Sequence, residues 1–501
     1  MSVESTYQEL AGLQRELVLL GSIESLLEWD QRCYIPSKAH EFRSDQVSYL
    51  ALMRHQKGTV RRIGELLGEL VDAGLGNSIE PRDVNIREWK RDYEHKCKLP
   101  DELVSEMSKT VSYAQSVWGE ARSKNDFASF QPWLEKIVDL KRRQADCLGW
   151  TDEPYDALLD EYEPGAKTAE VAKVLGDLRE RLVPLVKAIA GSSTKPDTSI
   201  LHRNFPPQAQ EAFGKIVASA IGYDFTRGRV DETTHPFCIT LGPKDIRITT
   251  RYIPDHVNGA LFGTLHESGH ALYEQNLPAE HAGTPMADAV SLGIHESQSR
   301  LWENIVGRGL PFWQKWYGDA QKKFDSLRDV PLETFVFAIN AVEPSFIRVE
   351  ADETTYNLHI LLRFEIERGL MNGEIKTADL PGVWNEKFKK YFGLNVPNDA
   401  QGCLQDIHWS AGLIGYFPTY SIGNLNAAQF FEKAIVDIGD QDANFRSGNY
   451  TPLLDWLRTN IHSHGRRYKS ADLTKHVTGI PLASDALMRY LEKKAAYWYG
   501  V

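Results

Sequence analysis

Residues 266–270 read His-Glu-Ser-Gly-His, and this block constrains the fold more than any other stretch of the chain. Two histidines four apart share a face on an α-helix, where residues i and i+4 stack. Two neutral imidazoles on one face can hold a Zn²⁺ from one side. Glu267 lies between them beside the open coordination position, where it can take a proton from a metal-bound water. The block therefore calls for a helix and points to metal-assisted hydrolysis, most often of a peptide bond. The flanks agree: Val257, Ala260, Leu261, Thr264, Leu265, Ala271 and Leu272 recur at helical spacing, Asp255 is placed to cap the start, and Pro278 lies beyond the end. The competing reading is a helix with two satisfied core histidines and a surface Glu.

A metal site needs a third protein ligand. The metzincin pattern sets a third His six residues after the second, following a Gly; here Asn276 and Tyr273 hold those positions, so that class is excluded. The gluzincin pattern takes a Glu from a following helix. Leu292 to Trp302 reads as such a helix, and Glu296 is separated from His270 by 25 residues, enough for one helix to end and another to return. Pro278, Gly283 and Pro285 suit the intervening turn. Glu280, His281 and Asp288 also lie there but lack a rigid helical support. The predicted ligand set is His266, His270 and Glu296, with a solvated surface carboxylate as the competing reading of Glu296.

Composition bounds the classes. At 501 residues, with 42% hydrophobic and 25% charged, the chain reads as an ordinary soluble globular enzyme with a large core. A net charge of −12 disfavours nucleic acid as a partner. Cys33, Cys97, Cys147, Cys238 and Cys403 are scattered, odd in number and form no CxxC, which reads as reduced thiols in a cytoplasmic protein. The start carries Glu16, Glu24 and Glu28 within its apolar run, unlike a signal peptide, and no stretch is apolar enough to span a membrane.

Most of the chain reads helical. Leu10, Leu13, Leu17, Leu20 and Leu27 form a stripe between Tyr7 and about Asp30, and 137–148, 169–190, 206–220, 310–327 and 425–436 also suit helices. The stretch 229–252 differs: Thr233, Thr234, Phe237, Ile239, Thr240, Ile246, Ile248, Thr249 and Thr250 flank Gly242-Pro243, predicting a small antiparallel sheet just before the metal helix. Such a strand offers an edge to a peptide. Residues 191–196 form a loop and a candidate hinge. No repeat or clear linker appears, so residues 1–501 read as one mainly α catalytic body with a cleft, its two lobes flanking the groove.

Further islands fall in order around the motif: His235-Pro236-Phe237, Asp245-Ile246-Arg247-Ile248-Thr249, the HESGH block, His295-Glu296-Ser297-Gln298, the 347–353 stretch IRVEADE, and the 402–409 stretch GCLQDIHW. Together they resemble the carboxypeptidase Taq family of metallocarboxypeptidases, with its pattern HPF, DxRxT, HExxH, HES, IRxxAD and GxxQDxHW. Glu28-Trp29-Asp30-Gln31 is similar to that family's N-terminal region. The resemblance implies a helical, saddle-like body with a deep groove, often a homodimer. It implies zinc, sometimes cobalt, and release of single residues from peptide C-termini with broad specificity except at proline. The matching metal positions are His266, His270 and Glu296, with Glu267 as general base. The substrate-binding islands fall on His235, Arg247, Arg348, Gln405 and His408; Tyr420, just downstream, is placed to donate to the oxyanion.

The chemistry accounts for these residue types. A tetrahedral oxyanion needs the metal plus a donor such as His408 or Tyr420. An exopeptidase must hold the free α-carboxylate, which an Arg fork does in bidentate fashion; Arg348 and Arg247 are the two candidates. Each has a structural alternative. Arg348 can pair with Glu350, Asp352 or Glu353, Arg247 with Asp245; His235 can be a turn residue, and His408 a buried structural one. Asp406 reads as a partner that orients a His. Two other functions share parts of this pattern: a zinc oligopeptidase or endopeptidase without a carboxylate clamp, and a metal-free helical scaffold.

Overall fold

The computed structural model describes residues 2–501. The first helix, Val3–Cys33, is opened by Ser2, whose Oγ accepts the Ser5 N–H. Its leucine stripe is only partly core: Leu10 and Leu17 pack with Ile63, Leu66, Leu67 and Leu70, whereas Leu13 is half-buried. Of the other predicted helices, 137–148 is the second half of Phe127–Leu148, and 425–436 lies inside Pro418–Ile438. The stretch 169–190 becomes Thr168–Gly191 and 206–220 becomes Pro207–Ile221. The 310–327 segment divides into Leu310–Lys323 and a short 3₁₀ turn at Asp325–Leu327.

The two motif segments form the histidine helix, Val257–Gln275, and the glutamate helix, Leu292–Arg300. The glutamate helix packs on Pro418–Ile438, which lies at the seam of two large apolar cores and shares the first of them with the histidine helix. Its Ala427, Phe430 and Ala434 join a core with Leu261, Leu265, Leu272 and Trp313. Its Ile422, Leu425 and Ala428 join a second core with Leu358, Trp384, Trp409 and Phe417. The metal motif is anchored in the first core and the IRVEADE and GCLQDIHW islands in the second.

The sheet beside the histidine helix is mixed rather than antiparallel. The predicted hairpin is present as β2 (Cys238–Gly242) and β3 (Asp245–Thr250). The strand β1 (Val230–Glu232) adds to the other side of β3 in parallel register, with Val230 opposite Ile248, giving the order β1-β3-β2. Three residues are too few for a period-two signal, and only β2 and β3 share a tight turn. Ile246 and Ile248 pack against Ala271, joining the sheet to the histidine helix.

Two local expectations change. Asp255 does not cap the histidine helix: His256 is the capping position, with no side-chain bond, because an Ile253–His256 bridge closes a turn that leaves Asp255 one residue early. Nor is 191–196 a free hinge. Ser192 Oγ donates to the Tyr499 carbonyl at 2.8 Å, and Lys195 Nζ donates to the Ile189 and Ala190 carbonyls. Among the described residues the five cysteines are free, and no helix is long and apolar enough to cross a membrane.

Gly269 lets the two motif helices touch. A Cβ built there would lie 2.5 Å from the Gln298 carbonyl oxygen and 2.6 Å from Ser299 Cα. Both are backbone atoms, which cannot swing aside. Replacing Gly269 with Ala is therefore expected to destabilise the metal-free protein by about 1–3 kcal/mol, the usual cost of overpacking. Gly259→Ala, on the same helix, adds a Cβ with nothing within 4 Å; it is expected to leave stability unchanged or raise it by up to about 1 kcal/mol. Urea unfolding of the two variants side by side checks the contrast.

Candidate active site

His266 Nε2 and His270 Nε2 face each other at 3.2 Å, and Glu296 Oε2 lies 3.6 Å from the first and 3.4 Å from the second. Among the described residues these form the one group of three or more His, Cys, Asp or Glu side chains whose donor atoms lie within 4.8 Å of one another. A tetrahedral ion with bonds of about 2.0–2.1 Å separates its ligands by roughly 3.3–3.4 Å. The triangle matches that spacing, and two imidazoles with one carboxylate suit zinc or a similar borderline divalent ion.

The outer nitrogens fix which lone pairs point inward. His266 Nδ1 lies 2.9 Å from Glu303 Oε2. A carboxylate only accepts, so Nδ1 carries the proton and Nε2 offers its lone pair to the triangle. His295 Nε2 lies 2.9 Å from Glu274 Oε1 and His295 Nδ1 lies 2.5 Å from His270 Nδ1. By the same logic His295 donates to Glu274 and accepts from His270, again leaving Nε2 of His270 free. Thr240 on β2 donates to the other Glu274 oxygen at 2.9 Å. Arg300 donates to Glu296 Oε1 at 2.6 Å and to Glu303 Oε2 at 3.1 Å. Glu303 comes from a π-helical turn, Leu301–Val306, that continues the glutamate helix. Such turns recur at functional sites.

Burial sets the charges. It pushes His270 down to about 3, with His295 adding to the effect. It also opposes charge on His266, but Glu296, Glu303 and Glu267 outweigh it and raise that ring to about 9, so a metal there displaces a proton. Burial raises Glu267 to about 7 despite the pull of His266, which holds its carboxyl near neutrality. The residues that sequence reasoning left out are Glu303, His295, Glu274 and Arg300. The signal was present: Glu274 is four residues after His270, Arg300 four and Glu303 seven after Glu296, each on a shared helical face.

Arg348 and His408 form a second wall. Arg348 is buried, donating from Nε to Asp406 Oδ1 at 2.9 Å and from Nη1 to Tyr356 Oη at 2.8 Å, with Nη2 2.8 Å from Asp406 Oδ1. It does not pair with Glu350, Asp352 or Glu353. Arg363 approaches the other Asp406 oxygen at 2.6 Å through Nε. Asp406 thus orients two guanidinium groups rather than a histidine, since His408 Nδ1 is 4.0 Å away. His408 Nε2 lies 3.2 Å from Tyr420 Oη, and burial pushes the imidazole down to about 3. Burial also holds the Tyr420 phenol well above its ordinary value, so it stays protonated as a donor. Tyr356 joins the two walls: its ring lies 4.7 Å from the Arg300 guanidinium and its hydroxyl meets Arg348.

The remaining candidates have other partners. Arg247 makes a two-point pair with Asp245, both contacts at 2.8 Å, and stacks 4.2 Å from the Trp29 ring, joining β3 to the first helix. Gln405 accepts the Arg348 N–H at 2.8 Å and spends its amide on the carbonyls of Phe346, Gln401 and Gly402. His235 is exposed, and its pKa is lowered by partial burial, then by Arg32 and Arg348.

Over nearly its whole length the chain is similar to known proteins. The family described as Carboxypeptidase Taq (M32) metallopeptidase matches residues 9–495. Thermostable carboxypeptidase 1 of Thermus thermophilus is 48% identical and Carboxypeptidase 1 of Bacillus subtilis 38% identical, each over 100% of both chains. The crystal structure of an M32 carboxypeptidase from Deinococcus radiodurans superposes with a TM-score of 0.96 at 40% identity, covering 99% of this chain and 100% of that one.

Burial alone would raise the Asp406 carboxyl, but Arg363 and Arg348 hold it well below the usual carboxylate range. A depressed folded value gives stability that is present above the unfolded value of about 3.9 and lost as pH falls below it. Asp406→Asn leaves two buried guanidinium groups without their anion, and is expected to cost about 3–5 kcal/mol at pH 7. That deficit relative to wild type is expected to shrink as pH falls below about 4. Denaturant melts of both proteins across pH check it.

Proposed function

The chain belongs to the carboxypeptidase Taq (M32) metallopeptidase family and is a peptide-bond hydrolase; from that premise we propose that it is a zinc-dependent carboxypeptidase that removes single residues from peptides with a free C-terminus, with broad side-chain specificity except at proline. Cobalt is an alternative metal. The observation that carries this reading is the convergence of His266 Nε2, His270 Nε2 and Glu296 Oε2 within 3.6 Å, each held by a partner behind it.

When bound, a divalent ion there supplies a Lewis acid that lowers the pKa of water toward neutrality. The chain's own groups do the rest. Glu267, its carboxyl raised to about 7, accepts the proton of the attacking water and passes it to the leaving amine. Tyr420 and His408 donate toward the oxyanion as the carbonyl becomes tetrahedral. Arg348 holds the substrate's α-carboxylate. Its guanidinium has five N–H donors, of which Nε, one on Nη1 and one on Nη2 are engaged. The remaining two are available for a bidentate contact. Arg247, committed to Asp245 and Trp29, is the weaker candidate. His235, exposed at the surface, is a further candidate for contact with the substrate.

Phenanthroline is expected to abolish hydrolysis and Zn²⁺ or Co²⁺ to restore it, and an N-terminally blocked peptide is expected to shorten one residue at a time from its C-terminus. Internal fragments would indicate an endopeptidase. Glu267→Gln is expected to keep its metal, read by elemental analysis, while turnover falls by about 10²–10⁴-fold, the range for a positioned general base.

Converting the peptide's terminal acid to an amide is expected to slow wild-type cleavage strongly. Arg348→Ala is expected to lose roughly 10²-fold in kcat/KM on the acid and to discriminate little between acid and amide. An unchanged acid-to-amide ratio in that variant would move the clamp to Arg247.

A further inference from the structure

Glu163 is a fully buried carboxylate outside the motifs, with about 1% of its surface exposed. Its Oε1 accepts the Gly293 N–H, and the Ser291 and Ser470 hydroxyls beside it favour its charged form; among the described residues no cation pairs with it. Burial in that setting raises its carboxyl to about 7. It sits at the first turn of the glutamate helix, Leu292–Arg300, where Gly293 N–H has no carbonyl of its own helix to bond. The neighbouring residue repeats the contact: the Leu292 N–H donates to the Tyr162 carbonyl at 3.1 Å. Gly293 is required by the fit, since a Cβ there would lie 2.5 Å from Glu163 Oε1. Glu296 is one helical turn further on.

The same short segment reaches the other wall. The Tyr162 ring meets Tyr416 edge-on at 5.2 Å, and Tyr416 lies 5.3 Å from Tyr420 and 5.5 Å from His408, ring to ring. One dipeptide thus docks on the start of the glutamate helix by two hydrogen bonds, one accepted by the Tyr162 carbonyl and one by the Glu163 carboxylate, and on the tyrosine–histidine wall by a ring contact. We propose that Tyr162-Glu163 is a positioning element that sets Glu296 relative to the two histidines and to the His408–Tyr420 wall. It rests on the reading of Glu296 as a metal donor. Glu163 touches neither substrate nor metal; it acts through the axial position of the helix that carries Glu296.

Metal-stripped wild type, Glu163→Ala, Glu163→Gln, Glu163→Asp and Ser470→Ala would be titrated with Co²⁺ against a chromophoric chelator, recording affinity, visible cobalt spectrum and melting temperature. Glu163→Ala is expected to bind Co²⁺ about 10- to 100-fold more weakly, as losses of supporting contacts behind a ligand do, with an altered cobalt spectrum. Glu163→Gln keeps an oxygen for the Gly293 N–H and is expected to restore both. Glu163→Asp withdraws that oxygen by one methylene and is expected to behave like Glu163→Ala, which keeps the test open should the Ala variant not fold. Ser470→Ala, which removes a partner off the glutamate helix, is expected to match wild type. Wild-type affinity and spectrum in Glu163→Ala, or in Glu163→Asp, would overturn the proposal even if the melting temperature falls. Equal weakening in Glu163→Gln would overturn its hydrogen-bond basis. Failure of the wild type itself to bind Co²⁺ would instead count against the metal site.

Discussion

The site depends on how closely two helix backbones approach. His266, His270 and Glu296 have short side chains, and their donor atoms meet within 3.6 Å only because Gly269 lets the histidine helix rest on the backbone of Gln298 and Ser299. On the opposite side Gly423 of Pro418–Ile438 makes a similar approach, since a Cβ there would lie 2.5 Å from Glu296 Cγ. Side-chain volume is traded for proximity along this seam, and the large residues sit outside it, in the two cores that hold Trp313 and Trp384. Close packing at such a seam resists displacement, because interiors at crystal-like density have no spare volume to relax into.

Around that seam the charges form supported sets rather than isolated pairs. Arg300 serves Glu296 and Glu303, Asp406 serves Arg348 and Arg363, and Tyr356 lies between the two sets. Burying charge is costly unless every member is paired and hydrogen-bonded, so these contacts are best understood as fixing orientation. The Glu303–His266 and Glu274–His295–His270 chains each determine a tautomer, and both determinations leave Nε2 lone pairs facing the same point. Fixing a ligand's orientation before the metal arrives lowers the cost of binding it.

The i,i+4 histidine spacing, the Glu helix after it and the hairpin around Gly242-Pro243 were legible because each has a local periodic signal. The parallel β1 strand was not, because three residues carry no period and its partner β3 is not the next strand in the chain. Asp406 reads from its island as a partner that orients a His, but its carboxylate turns toward Arg363, 43 residues earlier. Gln405 lies in a recognisable island, yet its amide is absorbed by nearby carbonyls. Glu163 carries no motif at all; only its burial against Gly293 marks it. Sequence spacing reports which residues share a helical face, while the partner across a tertiary contact is set by packing that no local pattern encodes.

In the proposed mechanism hydrolysis depends on an ion held by His266, His270 and Glu296. X-ray absorption at the zinc edge of the zinc-loaded protein tests it most directly. The expected shell is two imidazole nitrogens and carboxylate or water oxygens at about 2.0–2.2 Å with no sulfur, and it is expected to be lost in Glu296→Ala. A sulfur scatterer at about 2.3 Å, a shell without imidazole, or an unchanged spectrum in Glu296→Ala would contradict it.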